Sequence, residues 1–284
     1  MYLRLLDLLR CSECGGALDL TPLAAAATAY VDEISEGMLY CAQGHWFPVV
    51  RGIPRMLPDS LEEHWHTIKD CIREPVEEPL RHLMETRAES QRQIVYDRST
   101  RQNFSFEWDN HELGGRTWRM MLNDRVEAFF KQPIRIPPEE MPSKILLDAG
   151  CGNGSQSVVY TALGLEVIAI DLSSGLEHGD KFRLLYEGAK PDKVHFVQAD
   201  LQHPPLAPAS VDIIHSAGVL HHTPDTLKTF RTLCPLLRAD GTFYVWLYKY
   251  EQYSSMSNRE AALALMDIFG APYAHYHSYD EVAG

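Results

Sequence analysis

The 284-residue sequence contains no apolar run near the roughly 20 residues that cross a bilayer, so it offers no spanning segment and no membrane partner is expected. Cysteine is scarce. Six thiols are too few for the disulfide scaffold of a small secreted fold. The first ten residues mix leucine with Arg4, Asp7 and Arg10, which is not the uncharged stretch and cleavage site of a secretory signal. A cytoplasmic protein whose cysteines are free or hold metal is expected. A basic surplus is missing too: 26 Lys and Arg face 39 Asp and Glu, and the net charge of −13 is spread along the chain. Residues 61–143 hold 12 basic and 16 acidic side chains, so the concentrated positive face that a phosphate backbone requires is not evident. No internal repeat is visible.

The composition, 45% apolar and 23% charged, is that of a globular protein, and the length suits one α/β domain of about 150 residues plus a smaller unit. Residues 1–58 form a turn-rich segment with cysteines, ending in Pro54 and Pro58. Residues 59–142 read as a helical segment and linker. Ile68, Ile72, Leu80, Leu83 and Met84 recur at helical spacing, and a further helix is expected over 120–130. Between them Phe104, Phe106 and Trp108 alternate with polar residues; with Tyr96 they either pack in the core or cover a bound ligand, and core packing is the expectation. The stretch from Pro133 to Pro142 cannot continue a helix.

From Lys144, strands and helices alternate as in a parallel sheet with crossover helices. Strands are expected at 145–149, 167–170, 194–198, 211–215 and 242–247. Helices are expected at 155–163, 174–186 and 224–237, the last capped by Thr223 with Pro224 in its first turn.

Gly150, Gly152 and Gly154 follow a buried strand and open a helix, so backbone N–H groups can approach an anionic ligand closely. A dinucleotide fingerprint would need glycine at 155, where Ser155 stands. Asp171 closes the second strand, where a carboxylate accepts hydrogen bonds from both hydroxyls of a ribose. Asp200 ends the third strand at the same sheet edge and suits the exocyclic amine of adenine.

The order Asp148-Ala-Gly150-Cys-Gly152-Asn-Gly154, Asp171, Ala199-Asp200 and Ser216-Ala-Gly-Val-Leu-His221-His222 resembles the core of class I S-adenosylmethionine (SAM) dependent methyltransferases over residues 144–248. The resemblance implies an α/β fold with a Rossmann-like parallel sheet. It implies SAM as cofactor: Asp148 and the Gly150, Cys151, Gly152 and Gly154 loop at its methionine part, Asp171 and Leu172 at the ribose, Asp200 and Leu201 at adenine, and Ser216 at the end of strand four. His221 and His222 lie on the substrate side. One of them serves as the general base, or one packs against the next helix while the other lines the pocket without proton chemistry. Strand four lacks the Asn-Pro-Pro-Tyr or Asp-Pro-Pro-Tyr of enzymes that methylate exocyclic or amide nitrogens, and no Pro-Cys nucleophile is present.

Cys11-x-x-Cys14, a gap of 26 residues and then Cys41-x-x-x-His45 supply four ligands in two pairs, as a closed tetrahedral structural zinc site requires. Cys71, Cys151 and Cys234 have no partner at ligand spacing and read as packing residues. The segment from Cys41 to Pro54 is similar to the zinc ribbon of bacterial rRNA guanine methyltransferases and to the small ribbon partner of tRNA and protein methyltransferases.

The expected domains are therefore a zinc ribbon at 1–58, the helical segment and linker at 59–142, and the SAM-binding domain at 143–284. After the fifth strand a helix at 259–269 and a capping box, Ser278 to Glu281, are expected, whereas the family's last two strands are not found, so a truncated domain is expected. Three functions follow in order: methyl transfer to a small molecule; methylation of an rRNA or tRNA base with the ribbon gripping RNA; and SAM binding or protein interaction without turnover. The oligomeric state is not legible.

Overall fold

The computed structural model describes residues 1–25, 33–73, 76–86, 98–110 and 136–247. A short helix α1 (Arg4–Leu8) leads into four antiparallel strands paired in chain order: β1 (Leu18–Ala25), β2 (Ile34–Cys41), β3 (Trp46–Val50) and β4 (Ile53–Pro54). Helices α2 (Ser60–Cys71) and α3 (Glu78–Thr86) follow. The apolar spacing places Ile68, Leu80 and Leu83 in one buried cluster with Met38 and Val50 of the small sheet. Met84 instead faces solvent. Helix α4 (Arg98–Asp109) turns the apparent alternation of Phe104, Phe106 and Trp108 into two faces. Phe104 and Trp108 lie one turn apart on one of them, and Phe106 is exposed on the other. The expected elements at 120–130, 259–269 and 278–281, together with Tyr96, fall outside the described residues.

The second sheet is built from β5 (Ile145–Ala149), β6 (Glu166–Asp171), β7 (Val194–Gln198), β8 (Val211–Ala217) and β9 (Leu237–Trp246). All pairs are parallel, in the order β7-β6-β5-β8-β9. Near-continuous burial of β5 to β7 is what a sheet covered on both faces demands. The crossovers are α5 (Ser155–Ala162), α6 (Gly179–Leu185) and α7 (Thr226–Leu233). Two expectations are corrected here. The single helix expected over 174–186 is a 3-10 turn at Ser174–His178 followed by α6. The helix expected at Pro224 starts at Thr226, because the Asp225 carboxylate accepts from the Lys228 N–H at 2.8 Å whereas the Thr223 hydroxyl donates to the Leu220 carbonyl.

The small sheet docks on the outer edge of β7. Arg55, just past β4, pairs in parallel with Gln198, and the Met56 N–H donates to the Gln198 carbonyl at 2.7 Å. Leu9 bridges Leu206 on the other side. An exposed edge strand is thereby covered. Leu5, Leu9, Phe47 and Met56 share one hydrophobic cluster with Ile168 and Val197, so the two sheets stabilise each other. The Arg55 guanidinium, 1% exposed, donates to Glu177 at 2.8 Å and to Gln198 at 3.1 Å. No helix among the described residues is long and apolar enough to cross a membrane.

Near the same joint, the His195 Nε2–H of β7 donates to Glu166 at 2.8 Å, and Arg4 of α1 pairs with the same carboxylate oxygen. Burial holds the imidazole below its ordinary range, outweighing the pull of Glu166, and the hydrogen bond from His195 holds the Glu166 carboxyl down. The folded chain thus binds fewer protons at His195 than the unfolded chain. This share of stability is complete above about pH 6.5, declines as pH falls below that value, and the Glu166 share follows below about pH 4.3. His195→Gln should flatten the fall in urea midpoint between pH 7 and pH 5. An unchanged slope would remove His195 as its source.

Candidate functional site

At the carboxyl ends of β5, β6 and β8, where α/β sheets bind ligands, the loops enclose a cavity of about 170 Å³. Gly150 turns at φ +89°, and a Cβ there would stand 2.3 Å from the Val219 side chain, so the β5–α5 turn accepts only glycine at this point. The Gly152 N–H donates to Asp171 Oδ2 at 2.7 Å. Asp171 Oδ1 accepts from the Ser173 N–H and hydroxyl at 2.8 and 2.6 Å. Burial raises the Asp171 pKa, and those hydrogen bonds pull against it. Asp148 accepts from the Ser157 hydroxyl at 2.6 Å, and Asp200 from the Gln202 N–H at 2.8 Å.

The cavity is lined by Asp148, Gly150, Cys151, Asp171, Leu172, Asp200 and Leu201. The donor set therefore fits an adenosyl group: a carboxylate for ribose hydroxyls at the end of β6, another for an amine at the end of β7, and a glycine cradle that a Cβ would fill. Gly152 and Gly154 shape the loop from behind, the first beneath the Trp108 ring and the second against Phe196. Ser216 does not line the cavity, because its hydroxyl donates to the Ala149 carbonyl and ties β8 to β5. His222 lines it, with its ring edge-on to Phe104 at 5.2 Å. His221 is fully buried and outside the cavity wall. The two rings lie 4.0 Å apart, but only that of His222 lines the cavity, so the pair reduces to one candidate base.

Sequence reading missed two contributors. His215 of β8 stands directly across from Asp148 in the parallel register, with Nδ1 3.7 Å from the carboxylate and the ring stacked on Tyr244. Its signal was the register itself, since residues at matching heights on neighbouring parallel strands face the same side. The other is α4. Thr100, Phe104, Glu107 and Trp108 line the cavity at i, i+4, i+7 and i+8, a stripe that a helical reading of this segment would have exposed. The expected core packing of Phe104 and Trp108 is corrected accordingly: they line the cavity.

The four expected metal ligands converge. Ligand atoms of Cys11, Cys14, Cys41 and His45 lie within 4.8 Å of one another. Cys14 Sγ and Cys41 Sγ are 3.8 Å apart, and His45 Nδ1 is 3.3 and 3.4 Å from the sulfurs of Cys11 and Cys41. Tetrahedral zinc with bonds of about 2.3 Å to sulfur and 2.0 Å to nitrogen sets edges of about 3.8 and 3.5 Å, so the spacing fits. Burial pushes the Cys11 thiol up to about 12, and a thiolate there calls for a cation beside it. Burial also raises the Cys151 thiol well above the ordinary range, as suits an unreactive packing residue.

Residues 147–245 match the family described as a methyltransferase domain, and residues 3–52 match the family of Trm112p-like proteins. The chain is 31% identical over 133 residues to a ubiquinone biosynthesis O-methyltransferase of Xanthomonas campestris pv. campestris, covering 47% of this chain and 51% of that protein. It is 34% identical over 135 residues to the 27-O-demethylrifamycin SV methyltransferase of Amycolatopsis mediterranei, covering 47% and 46%. A solved complex containing the Haloferax volcanii Trm112 methyltransferase activator aligns at 19% identity and TM-score 0.41, over 56% of this chain and 64% of that one. The chain spans about half the length of the first curated relatives it matches.

Proposed function

From a chain that carries a class I SAM-dependent methyltransferase domain behind an N-terminal Trm112-like zinc ribbon, we propose transfer of the SAM methyl group to a small-molecule acceptor. The observation that carries this reading is the cavity at the sheet's carboxyl edge. Phe104 of α4, Val219 and His222 line it beside the strand-end carboxylates, and a space of about 170 Å³ suits a small acceptor group. The names of both relatives, one acting in ubiquinone biosynthesis and one on a rifamycin, point the same way.

When bound, SAM supplies a methyl group on a sulfonium, open to in-line attack. Asp171 and Asp200 would hold its ribose and adenine, and Asp148 with the glycine turn its methionine end. Aligning acceptor and cofactor is the main task, since positioning alone accounts for a large part of such a barrier. His222, facing the acceptor side, takes the proton of an acceptor that must lose one.

Incubation with methyl-labelled SAM and a cell extract separated into RNA, protein and metabolite fractions tests this. Label is expected in the metabolite fraction and should fall about 100-fold with His222→Phe at unchanged SAM affinity. Label confined to RNA would instead establish the ribbon as an RNA grip and sink the small-molecule reading.

A further inference from the structure

The turns at the ends of β6 and β7 are held from outside the cavity by a side chain that enters from the small sheet. The buried guanidinium of Arg55 donates through Nη2 to Glu177 Oε1 and through Nη1 to Gln198 Oε1. Gln198 Nε2 donates in turn to the Leu172 carbonyl at 3.2 Å, so the amide is fixed at both of its ends. Glu177 belongs to the 3-10 turn Ser174–His178, and its second carboxylate oxygen accepts from Arg51 at 2.9 Å.

Both arms of this fork end next to the cavity. Asp171 and Leu172 line its wall at the end of β6, and Asp200 lines it two residues beyond Gln198. The 3-10 turn that carries Glu177 starts from Ser173, which donates twice to Asp171 and accepts from the Gly175 N–H at 3.2 Å. One arm of Arg55 therefore steadies the β6 turn, and the other ties the end of β7 to the Leu172 backbone. Stability alone gives little reason for a charge here. Burial pulls the guanidinium's pKa down against the pull of Glu177, and a buried ion pair adds little over apolar packing of the same volume. What a planar, rigid fork adds is a fixed distance between two acceptors.

We infer that Arg55 is a positioning residue of the cofactor site: with Asp171 and Asp200 taken as the adenosine contacts proposed above, its fork sets the spacing of the β6 and β7 turns and thereby the affinity for the nucleoside half of SAM.

Calorimetric titration of the zinc-loaded full chain with SAM and with 5′-methylthioadenosine, which keeps the nucleoside and lacks the amino acid, tests this. Arg55→Lys keeps the charge without the fork and should weaken SAM about tenfold, and 5′-methylthioadenosine by the same factor. Glu177→Gln, outside the cavity wall and partly exposed, should weaken both about threefold. Labelled yield at saturating SAM should stay within about twofold of wild type, because a group that acts on cofactor binding alone raises KM and spares kcat. Unchanged SAM affinity in both variants overturns the role of Arg55 while the SAM site stands. A loss for SAM that 5′-methylthioadenosine does not share also overturns it, since the effect then lies away from the nucleoside. If Arg55→Lys fails to retain zinc or to melt cooperatively, Glu177→Gln decides alone. A wild-type chain that binds no SAM overturns the site and the inference together.

Discussion

Cys41→Ser is expected to release one zinc ion per chain and to lower the stability of the whole protein by about 4 kcal/mol or more, part of the roughly 10–16 kcal/mol that structural zinc supplies in small peptides. Cys41 is buried, with its sulfur 3.8 Å from that of Cys14 in the other ligand pair and 3.4 Å from His45 Nδ1 in its own, and a serine hydroxyl is a poor ligand for a metal held by thiolates. The loss does not stay local. Cys11, Cys41, Leu39 and Phe47 share their hydrophobic cluster with Ile168 and Val197 of the large sheet, so a loosened ribbon uncovers the β7 edge and part of the central core. Denaturant titration with and without a chelator, alongside metal analysis, measures this. Metal-free protein with the wild-type unfolding midpoint would defeat it.

Asp171→Asn should weaken SAM binding about 100-fold, equivalent to about 3 kcal/mol. The substitution keeps shape but turns one acceptor into a donor. The amide NH₂ then either faces the Gly152 N–H or breaks the pair of bonds from Ser173, and an acceptor for the ribose hydroxyls is lost. The folded protein should tolerate the change better than the complex does, because burial opposes the charge of Asp171 and a neutral amide removes that penalty. Calorimetric titration with SAM beside thermal melting separates the two effects. Equal SAM affinity in variant and wild type would take Asp171 out of the site.

Much of this arrangement was legible along the chain because it is local. The strands at Ile145–Ala149 and Val194–Gln198 fall where short stretches rich in Ile, Leu, Val and Phe put them, and the glycine turn sits between strand and helix as its spacing required. Cys11, Cys14, Cys41 and His45 were legible for the same reason: each ligand pair lies within a few residues, and their chemistry leaves few other uses. What failed was decided by competition between neighbours. Thr223 and Asp225 are both good caps, and which one the helix uses depends on how Leu220 and Pro224 turn the chain into it. His221 and His222 are equivalent on paper and their rings stay 4.0 Å apart, so only the packing of the turn after β8 decides that His222 lines the cavity and His221 does not.

By itself, the sequence determined a zinc ribbon ahead of a parallel α/β domain with carboxylates at three strand ends, since spacing, turn chemistry and hydrophobic period are properties of short stretches. Tertiary structure alone decided that the ribbon extends the β7 edge through Arg55 and Met56, that His215 stands beside Asp148, and that α4 brings Phe104, Glu107 and Trp108 to the cavity wall. These are contacts between residues distant in the chain, often by tens of residues or more. Their free energy comes from burial and register that exist only once separate elements meet.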